Sequence, residues 1–577
     1  MTISVYYDGD CPFCSKYMTL MRLKETAGQV KLVDLRTNQS EREELISQGF
    51  DLDKGMVVEM NGHRVEGAEA VNQLALLSTP SNVFNRINKT IMSSKVLATF
   101  LYPFLRAGRW LVLFLLGREQ ISSESNSARA SIFGSMFALF SMFHFFNYAL
   151  EYGRLPPQFD IIFIVFAAIL LFVKPESPRL LFLLMLASTI SAIIQAPISS
   201  NHTIVRNFVV LGYWISFFYA MFKSLKWSDI FTNFTVAGQA SLLVMYFFGV
   251  FHKINSDFLN PETSCAVTLW REMPWPLHTI DTPIMHYLAI YGTFAVEGIL
   301  VLMLFNRRLR HIAVVFGILF HILLALSNYA MYISFTTLAI SLHCLFLNEE
   351  SAKNILDSRF MQAVKMRVTN PAYFALAIIL MGLVMLAGLY RQYTLVTMLM
   401  LPLLLPFCYA IIRYGASQKP LLKASNRLSA SVIGVFLGAV FFLNCWMPYL
   451  GLKSSQAVNM FANLRLEGGV SNHLVMKNKP RPFFYLEDIV TIEDANDAAK
   501  LKYFQQDDVG MIYYDLLTHL DEKPAAVVSY SRGGVRYVNM TAEKLASDID
   551  TKLHSKWFRK WFHFDEVDLE RPELCSN

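Results

Sequence analysis

The chain has 577 residues, 54% hydrophobic and only 17% charged, against roughly 45–50% and 25% in an average soluble domain; this excludes a small soluble domain and assigns the apolar surplus to a bilayer. A formal net charge of +6 is modest for this length, and no basic tract interleaved with aromatics is present, so nucleic acid is excluded as a partner. The seven cysteines give no disulfide framework, because Cys265, Cys344, Cys408, Cys445 and Cys575 are widely scattered and several stand in apolar stretches.

The first residues, Met1 to Asp8, lack a basic region followed by an apolar one. No cleavable signal peptide is expected, which places the first domain in the cytoplasm. Residues 1–118 read as a soluble α/β domain. Ile3-Ser4-Val5-Tyr6-Tyr7 is β-branched and aromatic, hence strand-like, Asp8-Gly9-Asp10 turns the chain, and Cys11-Pro12-Phe13-Cys14 opens a helix reaching about Leu23. A cysteine at a helix N-terminus is favoured as thiolate, and a second cysteine three residues on can resolve a mixed disulfide. A structural metal would need two more ligands, and His63 alone does not supply them. The pair is thus read as redox-active or as an inactive scaffold. Residues 96–117 are apolar enough to cross a membrane, but Pro103, Arg106 and Arg109 favour an interfacial helix.

The stretch Tyr7 to Cys14, with Leu32-Val33-Asp34 and Glu66-Gly67-Ala68-Glu69-Ala70-Val71, resembles the DCC thiol-disulfide oxidoreductases, a thioredoxin-like family. The resemblance implies a thioredoxin-like fold, exchange chemistry at Cys11 and Cys14, and a thiol reductant as partner. One departure from ordinary thioredoxins is that no proline precedes the strand at Gly55-Met56-Val57-Val58, where those proteins carry a cis-proline.

A linker at 119–130 includes the polar run Ser122-Ser123-Glu124-Ser125-Asn126-Ser127. Residues 131–450 then read as an all-α polytopic membrane bundle. Eleven candidate spans, give or take two, lie at 131–150, 159–174, 179–197, 206–223, 236–252, 283–305, 311–327, 330–348, 372–390, 393–413 and 428–447. With the N-terminus inside, the Lys- and Arg-rich loops fall on the cytoplasmic side, as at Arg307-Arg308-Leu309-Arg310. An odd number of crossings places residues 451–577, a mixed α/β domain, outside. Within that domain Pro482–Leu486 and Ala526–Tyr530 are strand-like, and Thr541 to Leu553 is helix-like with a capping pattern. The fold class is therefore multi-domain: α/β, an all-α membrane bundle, and mixed α/β.

Polar residues near membrane spans are functional candidates, because each is costly to place there without a partner. Asn201-His202 stands in the loop before the fourth span, His252-Lys253-Ile254-Asn255 closes the fifth, and His321 lies in the outer half of the seventh, all toward one face. A terminal lysine also snorkels, and a membrane histidine also pins helices together, so each residue has a structural alternative.

The stretch Val244 to Leu259 resembles the lysine-bearing segment of the vitamin K-dependent γ-carboxylases and of their bacterial relatives, the horizontally transferred transmembrane (HTTM) family. Asn201-His202, Phe320-His321, and the tail run Asn463 to Gly469 with Ser471-Asn472-His473-Leu474 resemble further motifs of that family, in the same order. The resemblance implies Lys253 as the base that deprotonates a quinol and His202 as support for the anion. It places Asn201, His321, His252 and Asn255 around the cofactor. Implied too are reduced vitamin K or another membrane quinol, O2 and CO2 as co-substrates, no metal, membrane lipid and quinone as partners, and a protein or peptide acceptor. The expected activity is oxygen-dependent quinol epoxidation coupled to deprotonation, and to carboxylation, of that acceptor, in a bacterial inner membrane. The alternatives are a dithiol-quinone oxidoreductase using Cys11 and Cys14, and a non-enzymatic transporter or assembly factor.

Overall fold

Alternation with a period of two builds the first sheet. Strand β1 (Ile3–Tyr7) turns Ile3 and Val5 to one face and Tyr6 to the other, and β3 (Val57–Met60) divides Val58 and Val57 in the same way. On one face these residues pack with Met56 and with Ala70 and Leu74 of helix Gly67–Leu77. On the other they pack with Val33, Leu35, Leu45 and Leu52. Strands β2 (Val30–Asp34) and β4 (His63–Glu66) complete the sheet in the order β2-β1-β3-β4, with β2 parallel to β1 and the remaining pairs antiparallel. Asn61 and Gly62, both at positive φ, make the two-residue turn from β3 into β4, as expected of an Asn-Gly hairpin.

The computed structural model describes residues 3–20, 30–79, 83–118, 120–121, 127–151, 158–196, 200–306, 308–368, 371–416, 427–477, 482–496, 501, 504–505, 509–546, 561–568, 570–573 and 575. It divides into one unit of Met1–Asn126 with Tyr213–Phe234 and a second of Ser127–Gly212 with Thr235–Asn577. Within the first unit, helix Lys95–Leu116 starts at an N-capping Ser94 and ends at a left-handed Gly117. It buries Ala107, Trp110, Leu113 and Phe114 and exposes Val96, Phe100, Phe104 and Leu115. Phe217 and Trp227 meet the edge of Phe114, and the Trp110 indole donates to the Leu225 carbonyl at 2.8 Å.

Among the described residues, eight helices are long and apolar enough to cross a membrane: Lys95–Leu116, Ala128–Leu150, Pro178–Gln195, Asn201–Lys223, Trp227–His252, Pro283–Phe305, Tyr393–Tyr414 and Ser429–Leu450. Four expected spans are shorter apolar helices: Phe159–Val173, Arg310–Ala325, Ile333–Cys344 and Ile379–Leu389. Lys95–Leu116, expected to be interfacial, meets the length and hydropathy of a span despite Arg106 and Arg109. In the second unit, the helix from Ala128 is apolar on all sides and almost wholly enclosed, packing against Phe159–Val173 and Ile333–Cys344, the pattern of a central helix.

The second unit also carries an antiparallel sheet of order β6-β5-β7-β8, formed by β5 (Ile489–Ala495), β6 (Met511–Ile512), β7 (Val528–Arg532) and β8 (Val535–Met540). Its core includes Val490, Ile492, Leu516, Val528 and Tyr530. Two expectations are corrected here. Pro482–Leu486 does not form a strand, because Glu487 and Asp488 donate their N–H groups back to Phe484 and Tyr485 and close 3₁₀ turns (Tyr485–Glu487) instead. Cys265 and Cys575 are joined in a disulfide across 310 residues of sequence, since the tail returns to the helix Cys265–Arg271, which spacing along the chain cannot reveal. Of the expected helix Thr541–Leu553, the described part is Ala542–Ala546. Residues 547–553, the linker run 122–126 and the end of the helix opened by Cys11 lie outside the described residues.

Candidate functional site

The turn between β1 and helix Pro12–Leu20 builds the thiol site. Gly9 is required there: a Cβ would stand 2.0 Å from Asp34 Oδ2. Its absence lets the Gly9 N–H donate to Asp34 Oδ1 at 3.0 Å. Asp8 is buried and accepts from Arg36 Nε at 2.8 Å and Arg109 Nη2 at 2.9 Å. Arg109 Nη1 donates to the Asp53 carbonyl at 2.5 Å. The guanidinium is thereby fixed beside the sulfurs. The Cys14 N–H donates to Cys11 Sγ at 3.3 Å.

These contacts separate the two thiols. Hydrogen bonding from the Cys14 thiol, followed by the Arg109 charge and the Cys14 N–H, overcomes burial and lowers the Cys11 thiol to about 6. Cys14 is driven the other way, first by donating its S–H in a hydrogen bond to Cys11 and then by burial. This is the division of labour that exchange needs, with an attacking thiolate and a protonated resolving thiol. Both sulfurs are enclosed by Tyr7, Leu113 and Trp227. Among the described residues, the Trp227 indole N–H has no hydrogen-bond partner.

A second constellation lines a cavity of about 70 Å³ in the second unit. Lys253 Nζ donates to both oxygens of Glu297, at 2.9 and 2.8 Å. The Tyr246 hydroxyl lies 2.7 Å from His321 Nε2 and 3.2 Å from His343 Nε2. Gly317 makes room for that pair, because a Cβ there would stand 2.2 Å from His343 Nε2. Phe258, Phe320, Phe335 and Phe461 supply aromatic walls. The loop closing one side holds Gln456, Val458, Phe461 and Asn463 at positive φ. Each of these costs of order 1–3 kcal/mol, a strain that surrounding structure must sustain.

The other expected residues take different places. Asn201 and His202 are the first residues of helix Asn201–Lys223, not part of a loop. Asn201 Oδ1 accepts from the N–H of Val458, a wall residue of the Lys253 cavity. His202 Nε2 is 3.3 Å from His144 Nδ1; it does not line that cavity, whereas His321 does. His252 is held by the Tyr449 hydroxyl and the Ala457 carbonyl. Asn255 donates to the carbonyls of His252 and Ala462 and caps Phe258. The tail motif docks at the same exit: His473 Nε2 lies 2.9 Å from the Phe251 carbonyl, and Ser256 donates to Asn472. Sequence reasoning missed Glu297, although it is the only acidic residue of helix Pro283–Phe305 and intramembrane carboxylates are functional candidates by default. In the sequence Arg109 reads only as an obstacle to a span.

Residues 5–114 match the DCC1-like thiol-disulfide oxidoreductase family, so the chain carries a domain of that kind at its N-terminus, containing Cys11, Cys14 and Arg109. A 77-residue stretch is 35% identical to an uncharacterized chloroplastic protein of Arabidopsis thaliana, covering 12% of this chain and 35% of the plant protein. The chain thus spans about a third of that relative's length. No solved structure matches the chain.

Proposed function

We propose that the protein is a membrane-bound thiol-disulfide oxidoreductase in which Cys11 attacks and Cys14 resolves. The observation that carries this reading is the fixed Arg109 guanidinium beside a Cys11 sulfur that already accepts the Cys14 N–H. Cys11 thiolate attacks one sulfur of a substrate disulfide and expels the other as a thiolate, which takes up a proton. Cys14 then loses its proton and attacks Cys11 Sγ, expelling the second substrate thiol and leaving a Cys11–Cys14 disulfide. Two electrons pass to the substrate, and an external dithiol restores the pair. Because both sulfurs are buried, the cover formed by Leu113 and Trp227 must open for each cycle. With Lys95–Leu116 lying along the interface, the Lys- and Arg-rich loops favour the cytoplasmic side for this domain and the opposite side for the tail.

The test uses purified full-length protein in detergent, with glutathione disulfide as oxidant. Cys11→Ser should abolish exchange, Cys14→Ser should accumulate the mixed disulfide at Cys11, and Trp227→Ala should speed alkylation of Cys11 by roughly tenfold or less, the scale of one lost packing contact. Exchange that survives in Cys11→Ser would remove the proposal.

A second reading is favoured by His321 Nδ1, which is buried without a partner among the described residues and belongs to a side chain lining the Lys253 cavity. A quinol hydroxyl is a group that could occupy that acceptor. Tyr246, His321 and the Lys253–Glu297 pair would hold the quinol, which when bound supplies oxygen-dependent chemistry of the γ-carboxylase kind. A cavity of about 70 Å³ is small beside the ~300–1,000 Å³ of ordinary ligand pockets. A ring therefore enters only with movement of walls such as Phe461. For Lys253 to act as a base, Glu297 must first take the ammonium proton across their 2.8 Å contact. Vitamin K epoxide formed by the wild type and lost in Lys253→Ala would support this reading. No epoxide with vitamin K, menaquinol or ubiquinol would leave the cavity to transport or helix packing.

A further inference from the structure

Arg206 is 1% exposed and Lys453 2% exposed, and both border one cavity of about 210 Å³ in the second unit. Neither forms an ion pair among the described residues. Arg206 spends Nε and Nη2 on the side-chain oxygen of its neighbour Asn207, at 3.2 and 3.0 Å, and its Nη1 is buried with no hydrogen-bond partner. Lys453 Nζ donates to Asn444 Oδ1 and the Gln456 carbonyl, both at 2.8 Å, which leaves one of its three protons unassigned. Among the described residues, no carboxylate lines the cavity. Tyr148 and Asp160 act on Arg206 electrostatically, but Asp160 forms no ion pair with it among the described residues: its Oδ2 accepts from Gln195 Nε2 at 2.6 Å and its Oδ1 has no hydrogen-bond partner.

Two buried cations with only neutral amides and carbonyls as contacts are expensive unless a negative charge completes them. The free donors are a guanidinium edge and an ammonium proton, the pair of groups that recognises phosphate. We infer that this cavity is a binding site for a phosphate group, held by Arg206 and Lys453 and positioned by Asn207 and Asn444. A phosphate of charge near −1.5 to −2 matches two cations partly offset by one aspartate. The group can come from soluble phosphate or from a phospholipid whose apolar part runs along Phe208 and Leu211, which also line the cavity.

The experiment follows thermal unfolding of the full-length, delipidated protein in detergent, titrated with sodium phosphate against sodium chloride at equal ionic strength, together with mass spectrometry of co-purifying phospholipid. A melting midpoint that phosphate raises by several degrees beyond chloride, in the wild type but not in Lys453→Gln, identifies a soluble-phosphate site. Phospholipid retained by the wild type and lost in Lys453→Gln, with no response to free phosphate, identifies a headgroup site. Arg206→Lys keeps a positive charge but removes the fork, so it should weaken either effect without abolishing folding. A phosphate response equal to that of chloride, with lipid retention unchanged in both folded variants, would mean a cavity filled by water and would overturn the inference.

Discussion

The thiol site and the Lys253 cavity both bury a cation, and they use it differently. Around Asp8 two guanidiniums share one buried carboxylate, Arg36 being paired also with Asp10 at 3.5 Å, so Arg109 holds only part of its counter-ion and its charge also acts on Cys11. In the cavity, Lys253 and Glu297 meet one to one through both carboxylate oxygens, so the pair is formally neutral. A buried cation shapes its surroundings only to the extent that its own counter-ion leaves it unneutralised. The first arrangement leaves charge that lowers the Cys11 thiol, whereas the second closes an ion pair on itself.

Breaking the one-to-one pair should produce the largest effect. Glu297→Ala strands the Lys253 ammonium and should lower stability by about 3–5 kcal/mol, the usual consequence of removing one partner from a buried ion pair. The double variant Lys253→Met with Glu297→Leu should recover most of that loss, because an apolar pair avoids the desolvation penalty. Denaturant midpoints of the three proteins in detergent decide it. A single variant as stable as the wild type would show that the pair carries no structural weight.

The unbalanced site should respond more mildly and in its chemistry. Arg109→Met removes the charge but keeps a long apolar side chain beside the sulfurs, so the Cys11 thiol should rise from about 6 part of the way toward the ordinary ~8.5. At pH 7 that lowers the thiolate fraction up to about thirtyfold. The pH profile of iodoacetamide alkylation, resolved by peptide mass spectrometry, reads the midpoint directly, and a profile that does not move would assign the lowered thiol to the Cys14 hydrogen bonds alone.

These two sites also differ in how much of them the residues announced. Strand, turn and CxxC helix are local, and the β-branched and aromatic run Ile3–Tyr7 is a signal carried within a few residues. Every expected span overlaps a helix, because an apolar run of that length has few other ways to satisfy its backbone. The partners were not legible. Arg109 reaches Asp8 across 101 positions and Glu297 reaches Lys253 across 44, and a lone charge in an apolar helix signals that a partner exists without saying which. The same limit hid the Cys265–Cys575 disulfide. Conversely, His252 and Asn255 carried motif character, but their polar atoms are occupied by the Tyr449 hydroxyl, backbone carbonyls and a cap.

The smallest effect distinguishes a tuned thiol from a merely buried one through stability. Cys11 has a folded-state value near 6, below the ~8.5 of an unfolded thiol. Between those values the unfolded chain holds a proton that the folded chain has released, so stability of the reduced form rises with pH across this window and falls as pH drops through about 6. The slope is at most about 1.4 kcal/mol per pH unit. Cys14, shifted upward, stays protonated in both states through this window and adds nothing there. A Cys11–Cys14 disulfide has no thiol to titrate, so the reduced form should gain on the oxidised form from pH 6 to 8.5, and hydrogen exchange in β1 of the two forms at pH 6 and 8 reads the gap locally. A gap that does not widen would mean that the Arg109 charge is spent on Asp8 as completely as the Lys253 charge is on Glu297, and the contrast between the two sites would disappear.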